Sequence, residues 1–182
     1  MKTRSLIAIA IVALFCASGL QAQLSTQFHA GANVGYTVAS ESVVKGGYAI
    51  GVNGGVTIQK QHIAELEVLY LKNNLDLPFG LSGNFTTIPV LATYRYEFAF
   101  ANTPWSVQGG GSVGFANKKM KIESDSESKT VLAFGAQALG VYKINDKFSA
   151  NAGIKWIWTD KCESDDKVLS FTMFTVGGVF RF

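Results

Sequence analysis

Glu65 and Glu67 stand two residues apart in the segment HIAELEVLY, His62 to Tyr70. Alternate residues of a β-strand share a face, so in an extended segment both carboxylates point the same way. Two carboxyls held in different environments are the raw material of general acid–base chemistry. That chemistry also needs a nucleophile or a positioned partner base. The two histidines, His29 and His62, are far apart in the chain and have no cysteine or serine constellation around them. They make neither a triad nor a metal site. Within the alternating segments the same face also carries Glu97, Arg95, Lys143, Lys155 and Arg181. Three acids and four bases gathered on one face nearly cancel. A buried charge left unpaired costs several kcal/mol, so the pattern predicts a salt-bridged plug: a lumen polar network of Glu65, Glu67, Arg95, Glu97, Lys143, Lys155 and Arg181. No catalytic, cofactor-binding or metal-binding residue is assigned, and the chain does not read as an enzyme. GVNGG, Gly51 to Gly55, has the glycine content of a phosphate loop, but no helix follows it to supply the N-terminal dipole. GGG at Gly109 to Gly111 reads in the same way as glycine within a strand, permitting bulges or tight curvature.

The elements that must position these residues are legible in composition and period. The chain has 182 residues, 48% hydrophobic, 12% aromatic and only 16% charged, with 19 glycines. Soluble domains carry about 25% charge. Lys2 and Arg4 precede an apolar run, Leu6 to Phe15, too short to cross a membrane as a helix. Small residues and LQA follow, so residues 1–22 read as a cleaved signal peptide and 23–182 as one domain. Removing Lys2 and Arg4 from 16 basic residues leaves 14 against 13 acidic, a balance of +1. That balance excludes a nucleic-acid surface. Cys162 is then the one remaining cysteine, which excludes an internal disulfide and a paired-cysteine metal site.

After residue 23 the hydrophobic period is two, not 3.6. Eight strands follow, at about 24–39, 46–60, 62–72, 84–100, 105–118, 130–144, 148–160 and 167–182. One face of each is uncharged, as in Phe28, Ala30, Ala32, Val34, Tyr36 and Val38 of the first. The other face collects His29, Asn33, Asn53, Thr57, Gln59, Thr93, Gln108, Gln137 and Asn151 with the charges named above. Apolar outside and polar inside is the code of a transmembrane barrel. A soluble barrel inverts it. Aromatic residues gather at strand ends, with Tyr96, Phe98, Trp105, Tyr142 and Phe148 at one rim and Trp156 and Trp158 nearer the other. Two such girdles suit the two membrane interfaces. Short connections near 60–61, 101–104 and 145–147 alternate with longer ones near 40–45, 73–83, 119–129 and 161–166. This places both termini on the short-turn, periplasmic side. The segments KKMKIESDSESK, Lys118 to Lys129, and DKCESDD, Asp160 to Asp166, read as solvated loops.

The terminal TVGGVFRF and the fourth strand TIPVLATYRYEF, Thr87 to Phe98, resemble those of small outer-membrane β-barrels of the OmpA/OmpX-like kind. The fourth strand is similar to that of the porin-like "outer membrane protein beta-barrel domain". The resemblance covers the whole of 23–182. It implies an all-β, eight-stranded antiparallel up-and-down transmembrane barrel in a Gram-negative outer membrane. It also implies that Gly178, Phe180 and Phe182 are a signal read by the barrel-assembly machinery. The partners it implies are outer-membrane lipid and lipopolysaccharide, together with a host or surface ligand held by the loops. The function expected is non-enzymatic, structural or surface-interacting; the alternatives are a narrow pore for small solutes and a soluble lipocalin-like binding barrel. One departure stands out. Leu169, Phe171 and Met173 are apolar on the inner face of the last strand, as in an outer region rising above the membrane or in a shifted register.

Overall fold

In a computed structural model, which describes residues 25–40, 44–76, 82–122, 125–159 and 169–182, the chain forms eight strands. They are β1 (Thr26–Ala39), β2 (Val44–Ile58), β3 (His62–Asp76), β4 (Ser82–Ala99), β5 (Trp105–Ile122), β6 (Asp125–Lys143), β7 (Phe148–Thr159) and β8 (Leu169–Arg181). Each pairs antiparallel with its neighbours in sequence, and β8 closes on β1. The signal-peptide reading of 1–22 and the acidic segment with Cys162 lie outside the described residues.

The registers fix the geometry of closure. Moving from partner to partner, His29 leads to Gly55, Glu65, Thr93, Ser112, Gly135, Ile157, Phe171 and back to Ala39 on β1. The circuit returns ten residues above its start, and this stagger tilts the strands by about 40°. Eight strands at that tilt enclose a space that side chains can fill. The outward apolar band on β1 runs from Phe28 to Val38. Ten steps of about 3.4 Å, tilted by about 40°, span about 25 Å, the height of an outer-membrane apolar band.

The short connections are tight. Between β2 and β3, Gln59 and Lys60 both have positive φ, 53° and 63°, and the Gln61 amide donates to the Ile58 carbonyl at 3.2 Å. This is a type I′ hairpin, matched to strand twist but ordinarily built with glycine or asparagine. Gln59 is therefore an exposed turn residue and not a lumen residue. Replacing Lys60 with glycine is expected to raise stability by about 0.5–1 kcal/mol, because a side chain in the left-handed region is strained. Urea unfolding in lipid vesicles measures this, and a lowered midpoint would contradict it.

On the opposite side the strands run further than their alternation implied. Ile122 pairs with Asp125, so most of Lys118–Lys129 is a β5–β6 hairpin and not a loop. Strands β3 to β6 extend above the apolar band. Their outward residues there are polar, including Asn74, Thr86, Asn117 and Thr130, whereas Phe85, Ala116 and Val131 point inward and are buried.

Candidate functional site

Read upward along β3, the inward residues are Ile63, Glu65, Glu67, Leu69, Leu71 and Asn73, all buried. The same change of character recurs on β8, where Arg181, Val179, Gly177 and Thr175 give way to Met173 and Phe171. The lumen therefore has two storeys, polar below and apolar above.

The polar storey is built around two buried ion pairs. Arg95 donates from Nη2 to Glu65 Oε2 at 2.5 Å. The same oxygen accepts from Asn53 at 2.8 Å and lies 3.3 Å from His29 Nε2, while His29 Nδ1 is 3.3 Å from the Thr57 hydroxyl. One step higher, Lys155 donates to Glu67 Oε1, which also accepts from Asn33 at 3.2 Å. Long charged stems need room on the adjacent strands, and glycine supplies it. A Cβ at Gly55 would stand 2.6 Å from the Glu65 Cα, and one at Gly110 would stand 2.7 Å from the Arg95 Cα. Glu97, below, accepts from Ser106 at 2.6 Å and from Gln108 at 2.9 Å. Arg181 is half-buried at the short-turn mouth, where it lines a void with His29, Arg95 and Gln108.

Lys143 departs from the expected network. Its strand parity is inward, but it ends β6 at the rim, where its ammonium is half exposed and binds Asp146 at 2.8 Å. That contact holds the Asp146 carboxyl below its usual range. The lower lumen thus holds Glu65, Glu67 and Glu97 against Arg95, Lys155 and Arg181, three of each sign.

Two voids interrupt the lower packing, each with about 10 Å³ of free volume. That is room for about one water molecule. Glu65 Oε1, Asn33 Oδ1, Arg95 Nε and Thr175 Oγ1 have no protein partner among the described residues, and all four side chains line the upper void. Above it the lumen is close-packed: Leu69, Leu71, Leu91, Ile157, Phe171 and Met173 are at most 1% exposed, with Thr37, Asn73, Thr87 and Lys118 buried towards the upper end. Phe171 stacks on Phe85 with ring centroids 6.2 Å apart. Phe171 and Met173 face inward in continuous register, so the apolar inner face of β8 belongs to a core and not to a register shift. The signal for this storey was present in Leu69, Leu71, Leu91, Val131 and Ile157, apolar at inner-face parity on four further strands.

The aromatic residues stand at the rims. At the short-turn rim Tyr96 meets Phe98 at 4.6 Å, Trp105 meets Tyr142 at 4.8 Å and Phe148 meets Phe180 at 5.5 Å. Trp156 and Trp158 face outward at the far end of β7. Gly178 lies between Ala32 and Ala150 in the sheet, and the Phe182 amide donates to the Phe28 carbonyl at 3.0 Å, tying the last residue to β1. His62 Nδ1 shares a 2.7 Å hydrogen bond with the Tyr94 hydroxyl on the outer face of this rim, remote from the lumen acids. Among the described residues no group of three histidine, cysteine or acidic side chains is placed to hold a metal ion.

Comparison with known proteins places this geometry. A family model described as "Outer membrane protein beta-barrel domain" matches residues 7–182. Among solved structures, neisserial surface protein A superposes with a TM-score of 0.66 at 16% identity, covering 85% of this chain and 97% of that one. The outer membrane protein OprG of Pseudomonas aeruginosa gives 0.58 at 9% identity, covering 86% and 95%. The attachment invasion locus protein Ail of Yersinia pestis, solved with the heparin analogue sucrose octasulfate, gives 0.53 at 16% identity, covering 86% and 97%. No curated protein matches the sequence. At these identities the likeness establishes the fold alone.

Proposed function

The chain belongs to the outer membrane protein beta-barrel domain family and resides in the bacterial outer membrane, and from that premise we propose that it is a non-enzymatic, plugged barrel with a structural or surface-interaction role. The observation that carries this reading is the two-storey lumen. An ion crossing it would have to break the Glu65–Arg95 and Glu67–Lys155 pairs. It would then have to enter a close-packed apolar layer, where a bare charge costs many kcal/mol. Eight strands leave side chains filling the interior. The lumen acids are engaged in structural contacts; His29, held between Glu65 and the Thr57 hydroxyl, is buried beside a void with room for about one water, and His62 bonds Tyr94 on the outer face. The work of the protein is therefore assigned to its two outer surfaces: the wall that meets lipid, and the strand ends and loops that meet the exterior.

Its partners follow from those surfaces. The wall contacts outer-membrane lipid and lipopolysaccharide. Gly178, Phe180 and Phe182 form the terminal strand signal offered to the barrel-assembly machinery. A host or surface ligand is met by the loops, in keeping with the sulfated analogue bound to Ail. A deletion strain tests the role. Greater detergent sensitivity or weaker surface attachment, with unchanged uptake of small solutes, is expected. A selective loss of solute uptake would favour a pore instead.

A further inference from the structure

We propose that the lower void of the lumen binds one monatomic anion, chloride or a halide near its size, between the Arg181 guanidinium and the Ser149 hydroxyl. This goes beyond the plugged reading: the site needs a small cavity at the short-turn mouth and asks nothing of conductance.

The charges of the lower lumen balance in number but not in pairs. Glu65 is held by Arg95 and Glu67 by Lys155. Glu97 is satisfied by neutral donors, Ser106 and Gln108, which tie its carboxylate to β5. Arg181 is left over. Its side chain lines the void and is half-buried, yet it has no hydrogen bond or ion pair among the described residues. The topology explains why the remaining acid does not reach it. Glu97 stands on β4 and Arg181 on β8, strands on opposite sides of the closed barrel. A guanidinium drawn out of water calls for an anionic partner, and arginine suits such sites because it is weakly hydrated.

The void has about 10 Å³ of free volume, room for about one water or one ion of similar size. Arg95 reaches it from β4, Gln108 from β5 and Asn151 from β7. Ser149 lines it too; this residue is 1% exposed, and its hydroxyl has no partner among the described residues. Guanidinium, amide and hydroxyl groups can all donate to an anion. No carboxylate lines this void. The upper void is the contrast. Glu65 and Glu67 line it together with Arg95 and Lys155, so its charges cancel and suit a neutral water. Lys143, the cross-strand partner of Ser149, binds Asp146 at the exposed rim, so that carboxylate stays outside. The lower void therefore offers positive charge and donors without an acid. Its size excludes phosphate, sulfate and organic anions. A bound halide would give Arg181 the negative partner that β4 cannot bring across.

The test uses the whole folded barrel in nanodiscs of neutral phosphatidylcholine. Sodium chloride replaces sodium gluconate at constant ionic strength while amide chemical shifts are followed. Saturable one-site shifts are expected at Ser149, Asn151 and Arg181, reproduced by bromide and absent with sulfate. Arg181→Gln should weaken the apparent affinity by about tenfold or more, because a charge-assisted hydrogen bond is lost. Ser149→Ala should weaken it by a smaller factor. Lys60→Gln removes the same charge from an exposed turn at the same mouth and should leave binding unchanged. Every variant is first shown to be heat-modifiable, and the titration of the native chain decides the matter even where a variant fails to fold. Three results would overturn the proposal. The native chain could show no saturable chloride shift, which would mean that water alone fills the void. Sulfate could shift the same residues equally. Lys60→Gln could weaken the response as much as Arg181→Gln, which would reduce the effect to the general charge of the mouth.

Discussion

Replacing Glu65 with alanine is expected to destabilise the folded barrel by about 3–5 kcal/mol, the typical effect of breaking a buried ion pair from one side. The cost comes less from the lost attraction than from what remains. Arg95 is 4% exposed, and its guanidinium would be left in the lumen without its acid. Asn53 and His29 would lose the oxygen they share. Removing Glu65 and Arg95 together, each to methionine, should recover most of the loss, since exchanging a whole buried pair for apolar side chains is often near neutral. Unfolding in urea from lipid vesicles measures both. No large conductance should appear in the single variant, because the apolar storey above is untouched. A loss under about 1 kcal/mol would mean that water reaches Arg95 freely and that the lower lumen is open.

The second large effect is expected at Phe171. Truncation to alanine should cost about 3–5 kcal/mol, the range for deleting a fully buried aromatic side chain. Its ring is 0% exposed, stacks on Phe85, and lies between strands at Ile157 and Ala39. The site has little freedom to collapse, because the barrel wall is held by closed ladders on both sides. A conservative Phe171→Leu change should cost far less. If alanine were tolerated within about 1 kcal/mol, the upper lumen would not be a packed core.

The two variants probe parts of the lumen that differed in how plainly the chain declared them. The polar storey was legible because a charge inside an alternating strand has only one face on which to sit. Glu65, Arg95 and Lys155 obey that logic, and the structure brings them together. Lys143 obeys the parity but not the logic: at the last residue of β6 the wall ends, and the ammonium turns to Asp146 and water. The apolar storey was hidden for the opposite reason. Leu69, Leu71, Leu91 and Ile157 are apolar on both faces of their strands, and a period-two reading has no contrast there. Only Leu169, Phe171 and Met173 on the last strand stood out, as an anomaly.

Strand lengths were underread from the same cause. Above the membrane the outside turns polar and the inside turns apolar, so β3 to β6 continue with the code reversed. Lys118–Lys129 looked like a loop because its charges and serines dominate its composition, while hydrogen bonding carries the ladder as far as Ile122 and Asp125. Which residues adjoin across the wall was invisible in sequence. The outward row of Tyr48, Tyr36 and Phe174 depends on β8 closing against β1.

The most direct test of the plugged lumen is single-channel recording of the purified, heat-modifiable barrel in a planar lipid bilayer. The expected result is insertion without discrete conductance steps in molar salt, for the native chain and for Glu65→Ala alike. Stable, reproducible open steps from the native chain would contradict it, and would mean that the Glu65–Arg95 and Glu67–Lys155 layers are a gate and not a plug.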